Sequence, residues 1–219
     1  MSTVRLLLAT RNAKKLAELR RMLATSGCNR LQVLGLDDVP PFPEVPETAA
    51  TFEANALAKA RDAAAATGLA AVADDSGLEV DALNGMPGVL SARWAGRHGD
   101  DAANLQLVLQ QLADVPDDRR GAAFVCAAAL VVPGGVETVV RGEWRGTLTG
   151  AARGGNGFGY DPIFVPDGDR RTSAELQPAE KDAASHRGRA LRALLPAVHR
   201  LLNSGLSPQP VRPGPPTVC

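Results

Sequence analysis

The stretch AAFVCAAALVVPGGVETVVRGEW, residues 122–144, carries the strongest structural signal in the sequence. An apolar run, 122–132, and a run containing three valines, 136–144, flank a Pro-Gly-Gly turn at 133–135. This pattern predicts an antiparallel hairpin, because glycine lets the backbone reverse between two strands. We therefore expect an antiparallel region in the sheet.

The N-terminal part of the chain has a different organisation, in which short apolar runs alternate with helical patterns. Runs at 4–9 and 69–73 are predicted strands, and the first leads into a helix. Between them, Thr51 is placed to cap an alanine-rich helix over 52–67, which Gly68 ends. Strand–helix–strand units favour parallel pairing, so the chain is predicted to have an α/β fold, a mixed β-sheet flanked by helices.

Two further helices and a short strand are predicted in the second half. Asp100 or Asp101 opens one helix, and a strand at 163–165 follows a glycine-rich loop. Pro178 lies in the first turn of the last helix, and Pro196 is expected to end or kink it.

Composition restricts the classes of function. With 24 Lys+Arg and 24 Asp+Glu in 219 residues, the chain has no broad basic field, so we expect no nucleic-acid partner. No run approaches the ~18 apolar residues that cross a bilayer, so we expect no membrane partner. Three widely spaced cysteines fit a reducing, cytoplasmic location. We predict one domain over 1–203 and a disordered tail over 204–219, which contains five prolines.

The turn after the first strand is a candidate phosphate site. It consists of Thr10, Arg11, Asn12, Ala13, Lys14 and Lys15. Unpaired N–H groups at a helix start attract phosphate, and lysines in a first turn oppose the helix dipole, which suggests an anionic ligand. The alternative is an asparagine cap followed by a solvated basic face.

Asp74-Asp75-Ser76-Gly77 is a candidate metal and catalytic site. The sequence places it after the second strand, at the sheet edge where open α/β sheets bind ligands. Adjacent carboxylates repel each other, and a divalent cation that also binds triphosphate oxygens relieves this repulsion. One carboxylate can accept a proton from an attacking water. Glu44 and Glu47 are candidate further ligands, and an ordinary Asp-Ser-Gly turn is the alternative.

The loop GGNGFGYD, residues 154–161, is a candidate base-binding segment. Its glycine spacing does not fit the dinucleotide fingerprint, and no helix follows it. The loop presents Phe158 and Tyr160, on which a base can stack. Alternatively, these rings fill part of the core.

A second candidate base-binding segment lies on the predicted last helix. Lys181 and Ser185 are spaced to share one helix face, next to His186 and Arg187. Their donors suit a purine carbonyl or a phosphate. A charged, solvated helix surface is the alternative.

Taken together, these segments resemble the non-canonical purine NTP pyrophosphatases, the inosine/xanthosine triphosphatase family. Five stretches match in the family's order, from Val4 to about Leu202: LLLATRNAKKLAEL, ETAATFEANALAKA, ADDSGLEVDALNGMPGVLSARWAG, GGNGFGYDPIF and EKDAASHRGRAL. One departure is Arg11, where many members have glycine, so its contact with phosphate stays open. The resemblance implies an elongated mixed sheet with two lobes around a central cleft, and a homodimer. It also implies Mg²⁺-dependent hydrolysis of ITP, dITP and XTP to monophosphate and pyrophosphate, which cleanses the nucleotide pool.

The resemblance also assigns roles to individual residues. Residues 10–15 would hold the triphosphate, Ser76 would contact substrate, and Asp75 would be both the proton acceptor and a Mg²⁺ ligand, with Glu47 as its partner at the metal. The residues that would line or complete the base pocket are Phe158, Gly159, Tyr160, Asp161, Lys181, His186 and Arg187.

Three other functions compete with this interpretation. One is a related pyrophosphatase acting on modified pyrimidine or other triphosphates. Another is a nucleotide sensor without catalysis, although a sensor would not need Asp74, Asp75, Lys15 and Glu47. The third, an RNA-binding module, is disfavoured by the neutral charge balance.

Overall fold

The structure, a computed structural model, describes residues 3–24, 26, 30–43 and 46–203. Within these residues six strands form one sheet in the order β2-β1-β3-β4-β5-β6. The strands are β1 (Val4–Leu8), β2 (Leu31–Leu34), β3 (Ala70–Val80), β4 (Gly121–Val131), β5 (Glu137–Leu148) and β6 (Phe164–Pro166). β1 is parallel to both neighbours, and the pairings from β3 to β6 are antiparallel, so the predicted mixed sheet is confirmed. Glu44 and the predicted tail lie outside the described residues.

Helices flank this sheet. They are α1 (Ala13–Ala24), α2 (Phe52–Thr67), α3 (Asp101–Gln111), α4 (Pro178–Ala184) and α5 (His186–Asn203). The predicted caps are present: Thr51 Oγ1 accepts from the Ala54 N–H, Gly68 ends α2 with a φ of 67°, and Asp100 caps α3. No helix in the described ranges is long and apolar enough to cross a membrane.

The course of β3 differs from the prediction. The hairpin of β4 and β5 is present, but β3 does not stop at Ala73, so the prediction that 74–77 follow a strand end is wrong. β4 pairs with β3 from Ala71 to Val80 and continues the strand, whereas β1 pairs with it only as far as Val72. The carboxylates therefore lie inside a strand, just beyond the end of its parallel neighbour.

The predicted last helix is divided into α4 and α5. Ser185 adopts an extended conformation between them, and its Oγ accepts from the Gly188 N–H at 3.1 Å, as a helix cap does. Lys181 and Ser185 therefore do not share the face of one continuous helix, contrary to the prediction. Pro196 lies inside α5, which continues to Asn203 because buried side chains on both sides of the proline pack on the sheet.

Three apolar clusters form the cores of the two lobes, two clusters in one lobe and one in the other. In one lobe, Leu6 and Leu8 pack against α1 and α5 on one face of the sheet, while Leu7 packs against α2 on the other. In the second lobe, Trp144 and Phe164 form a separate cluster with part of α3. The sheet runs through both lobes and carries the site between them.

Cys126 lies on β4 at the centre of the sheet. Its thiol is free and fully buried. Burial and the negative charge of nearby Asp74 raise the pKa of Cys126 to about 12, so the neutral thiol is the stable form.

Close packing of β5 on α5 generates a stability prediction. A Cβ at Gly142 would overlap the carbonyl oxygen of His186 and lie 2.5 Å from the backbone N of Ala190. We expect Gly142→Ala to lower the free energy of unfolding by about 1–3 kcal/mol, the usual cost of overpacking, because backbone must move. Urea unfolding measures this change. Gly155→Ala is the control, since a Cβ there meets nothing within 4 Å; equal losses in both variants would contradict the argument.

Candidate active site

A cavity of about 570 Å³ opens between the two lobes. The predicted site residues that line it are Thr10, Arg11, Asn12, Lys15, Glu47, Asp75, Ser76, Phe158, Gly159, Tyr160, Asp161, Lys181, His186 and Arg187. Ala13 and Lys14 lie in the exposed first turn of α1 and do not line it. Segments far apart in the sequence therefore meet at one cavity.

The turn before α1 combines a helix cap with a cation that faces the cavity. Asn12 Oδ1 accepts from the backbone N–H groups of Lys14 and Lys15, at 3.0 and 3.2 Å. The asparagine cap, offered as an alternative to a phosphate site, is thus real. Lys15 does not belong to a solvated basic face, however, because its Nζ lies 3.0 Å from the buried carboxylate of Asp74.

Asp74 is buried on the face of β3 that packs against α1 and α5. Its Oδ2 lies 3.0 Å from Lys15 Nζ, 3.4 Å from Arg187 Nε and 3.9 Å from Cys126 Sγ. Burial alone would raise the pKa of Asp74, but the charges of Lys15 and Arg187 outweigh it and hold the pKa well below its usual range. Asp74 is therefore a permanent anion, and its Oδ1 has no hydrogen-bond partner in the described structure.

Asp75 projects to the opposite face of the sheet, because side chains alternate along a strand. Its Oδ2 accepts from Asn55 Nδ2 at 2.9 Å, and its Oδ1 accepts from the Ser76 N–H at 3.0 Å. Burial raises the pKa of Asp75; the charge of Lys59 opposes this shift, whereas the negative charge of Glu47 adds to it. The net shift is upward, in contrast to Asp74, so the two neighbouring carboxyls differ in basicity.

Lys59, on α2, joins Glu47 to the carboxylate pair. Its Nζ donates to Glu47 Oε1 at 2.9 Å and to the Asp74 carbonyl at 2.6 Å, and lies 3.7 Å from Asp75 Oδ1. Arg93 donates to the Glu47 carbonyl at 3.1 Å. Burial would raise the pKa of Glu47, but Lys59 and the other nearby cations lower it. Glu47 is thus held as an anion facing Asp75.

Glu47 and Asp75 have the donor chemistry of a Mg²⁺ site. Both carboxylates approach the same ammonium group, so a positive charge between them is already stabilised. The described residues contain no cluster of three or more His, Cys, Asp or Glu side chains placed to hold a metal. Mg²⁺ commonly binds one or two carboxylates and completes its shell with substrate phosphates and water, and two carboxylates fit that mode.

The two aromatic residues of the 154–161 loop have different environments. Tyr160 is buried, and its hydroxyl donates to the Ser91 carbonyl at 2.8 Å, so this ring also fills part of the core. Phe158 is only partly buried and lines the cavity. Asp161 stabilises the loop, because its Oδ2 accepts from the Phe158 N–H at 2.7 Å and from Lys181 Nζ at 2.6 Å.

The segment around Ser185 is buried rather than a solvated surface. Arg187 donates to a carboxylate oxygen of Glu18 and to Ser76 Oγ, the latter at 3.0 Å, while Lys181 Nζ lies 3.6 Å from Glu18. The His186 ring stacks on Phe124, with 4.9 Å between ring centroids. Burial and the nearby cations lower the pKa of His186 well below its usual value, so the imidazole is neutral.

Sequence reasoning missed several residues of this site. Asn55 and Lys59 lie on the face of α2 that packs on the sheet, and Glu18 lies on the buried face of α1. Asn55 and Lys59 are spaced i,i+4 among buried alanines, and polar residues on an apolar helix face were the available signal. Glu18 had no comparable signal, because its buried partners come from distant α4 and α5.

Comparisons with known proteins agree with this geometry. The Ham1 family model matches residues 6–197. The dITP/XTP pyrophosphatase of Nocardia farcinica is 71% identical over 201 residues, which cover 92% of this chain and 98% of the relative.

Solved structures give the same result. The crystal structure of a nucleoside-triphosphatase / dITP/XTP pyrophosphatase from Mycobacterium abscessus is 65% identical, with a TM-score of 0.72, covering 88% of this chain and 100% of that chain. A HAM1 protein from Coxiella burnetii has a TM-score of 0.80 at 42% identity, covering 90% and 100%. The family match includes every residue that lines the cavity. The chain belongs to the Ham1 family.

Proposed function

We propose that this protein hydrolyses the purine nucleoside triphosphates ITP, dITP and XTP to the monophosphate and pyrophosphate, with Mg²⁺ as cofactor. The observation that carries the proposal is the meeting of three parts at one cavity: a capped helix start with Lys15, the carboxyls of Asp75 and Glu47, and a loop presenting Phe158. The names of the Nocardia and Mycobacterium relatives, which are dITP/XTP pyrophosphatases, support the same substrates.

Asp75 is the proposed proton acceptor for the attacking water. It lines the cavity, and the Asn55 amide and the Ser76 N–H fix the orientation of its carboxylate. A raised pKa makes it a better base than Asp74, whose charge is fully compensated by Lys15 and Arg187. We therefore assign proton transfer to Asp75, whereas Asp74 holds the cationic side chains of Lys15 and Arg187 in position.

The pyrophosphate leaving group would be stabilised at the start of α1. Lys15 lines the cavity, and the N–H groups of the first turn lie at the positive end of the helix dipole. Asp75 and Glu47 would hold Mg²⁺, which neutralises charge on the phosphates when bound. Lys59 contacts both carboxylates and would orient them toward the metal side of the cavity.

The base would bind between Phe158 and the segment around His186. ITP and XTP carry a 6-oxo acceptor where ATP carries an amino group, so buried donors favour the former and remain unpaired against adenine. Lys181 and Arg187 are already held by Asp161 and Glu18, which fixes their positions before substrate enters. Neutral His186 offers a ring nitrogen, Nδ1, that has no partner in the described structure.

We propose a homodimer located in the cytoplasm, without nucleic-acid or membrane partners, in which the tail 204–219 makes no contribution to activity.

Turnover of ITP, dITP, XTP, GTP and ATP with Mg²⁺, with products resolved, tests the substrate class directly; preferential hydrolysis of ATP or GTP would refute it.

Removal of the proposed base is the first specific test. We expect Asp75→Asn to reduce kcat by about 10²–10⁴-fold, the usual contribution of a positioned general base, because an amide cannot accept the proton. Turnover of ITP measures the change, and circular dichroism checks the fold. Asp114→Asn, at an exposed position, is the control. Near-normal activity in well-folded Asp75→Asn would remove Asp75 from the mechanism.

The acid limb of the pH–rate profile provides a second test. Lys59 lowers the pKa of Asp75, so Lys59→Met should raise that pKa further. Asp75 must be ionised to accept a proton, and the acid limb of kcat/KM should therefore move to higher pH. Arg61→Met is the control, because Arg61 lies on the same helix but pairs with exposed Glu137. An unchanged limb in Lys59→Met would contradict the assigned coupling.

The bond that breaks provides a third test. Attack at the α-phosphorus releases pyrophosphate into the cation-lined end of the cavity, whereas attack at the γ-phosphorus releases orthophosphate. When ITP is hydrolysed in ¹⁸O-labelled water with Mg²⁺, we expect IMP and pyrophosphate in equal amounts, with the label on IMP. IDP as the main early product, or label mainly in pyrophosphate, would overturn the mechanism.

A further inference from the structure

Phe158 lies at the mouth of the cavity, surrounded by cations. Lys14 Nζ, Lys181 Nζ and Arg187 Cζ lie 5.5, 5.1 and 5.6 Å from the centre of its ring. One of these cations belongs to α1 and two belong to the α4–α5 region, so the ring lies between the phosphate side and the base side.

The backbone next to Phe158 is held by a residue that the mechanism does not use. The Gly159 N–H donates to Asp101 Oδ2 at 3.0 Å, and Lys14 Nζ lies 4.0 Å from the same oxygen. Asp101 lines the cavity. Because Asp100 already caps α3 by accepting from the Ala103 N–H, Asp101 is not required for that purpose.

Asp101 projects from a part of the chain that is firmly fixed. Asn104, one turn later in α3, is buried, and its side chain accepts from the Ala95 N–H at 2.7 Å and donates to the Ala92 carbonyl at 3.2 Å. The same segment supplies the Ser91 carbonyl that accepts from the Tyr160 hydroxyl. The 154–161 loop is thus attached to residues 91–104 at two points. The Tyr160 hydroxyl is bonded to Ser91 in the core, and the Gly159 N–H is bonded to Asp101 at the cavity.

We propose that Asp101 is a positioning residue for base binding, which holds the Gly159 backbone and thereby fixes the ring of Phe158 next to Lys14 of the phosphate turn. This inference rests on the proposed function. Asp101 contacts the loop backbone and Lys14, so its removal should weaken substrate binding with little effect on proton transfer to Asp75. Gly159 has a φ of 61°, a conformation that the hydrogen bond to Asp101 helps to retain.

The kinetics of two variants distinguish this positioning role from a role of Asp101 in the stability of α3. We expect Asp101→Ala to raise KM for ITP roughly tenfold, the scale of one lost charge-assisted hydrogen bond, with kcat within twofold of wild type. Asp101→Asn should recover most of the loss, because its amide oxygen can still accept from Gly159. Asp114→Ala, at an exposed position, is the control. An unchanged KM in Asp101→Ala, or no recovery in Asp101→Asn, would overturn the proposal.

A double-mutant cycle tests whether Asp101 acts through Phe158. In a Phe158→Leu background, Asp101→Ala should change KM by less than twofold, because the aromatic surface that it positions is gone. A full tenfold effect in that background would show that Asp101 acts on substrate by another route, and would refute the proposal. Thermal unfolding of all variants shows that each is folded.

Hydrogen exchange gives a readout that does not depend on turnover. Amides of the 154–161 loop should exchange faster in ligand-free Asp101→Ala than in wild type, and at near wild-type rates in Asp101→Asn. Unchanged exchange in Asp101→Ala would contradict the proposed hydrogen bond. If wild-type protein failed to hydrolyse ITP, the proposed function would fall while this measurement still tested the contact.

Discussion

Two adjacent carboxylates buried on one strand require a cation on each face of the sheet. Because side chains alternate along β3, Asp74 and Asp75 project to opposite faces, and each carboxylate has its nearest cation on its own face. Lys15 and Arg187 reach Asp74 from α1 and α5, while Lys59 approaches Asp75 from α2. The packing of helices on both faces thus also supplies the charges that compensate the two carboxylates, and it brings the start of α1 and the segment around Ser185 to one cavity.

Local signals in the sequence predicted the local parts of this arrangement. Asn12, Thr51 and Gly68 cap helices through neighbours a few residues away, and the Pro-Gly-Gly turn joins the two strands that it separates. The course of β3 could not be predicted in this way. Its second half is a strand because β4, far away in sequence, pairs with it, and the Asp-Asp-Ser-Gly composition is typical of a turn.

Residues of the candidate site could be predicted where they belong to a sequence motif, but not where only tertiary contacts bring them to the cavity. Asp75 and Phe158 belong to recognisable segments. Lys59 is a single lysine in a helix rich in alanine, and its role follows only from the 2.9 Å contact with Glu47, which lies in a separate loop. Ser185 is a residue type that often caps helices, yet the flanking sequence fits one continuous helix. The break between α4 and α5 allows Lys181 and Arg187 to converge on Glu18 from two helices.

The buried thiol of Cys126 makes the centre of the sheet a natural reporter of conformational opening. A thiol with a pKa of about 12 and no solvent access is protected from alkylating reagents and peroxide while the strands remain paired. Its modification rate then reports the local opening that exposes the thiol, and the population of the open form is set by the free energy of that local unfolding. The same sulfur lies 3.9 Å from Asp74. A ligand that makes local opening around the carboxylates less frequent would therefore slow the labelling of the Cys126 sulfur.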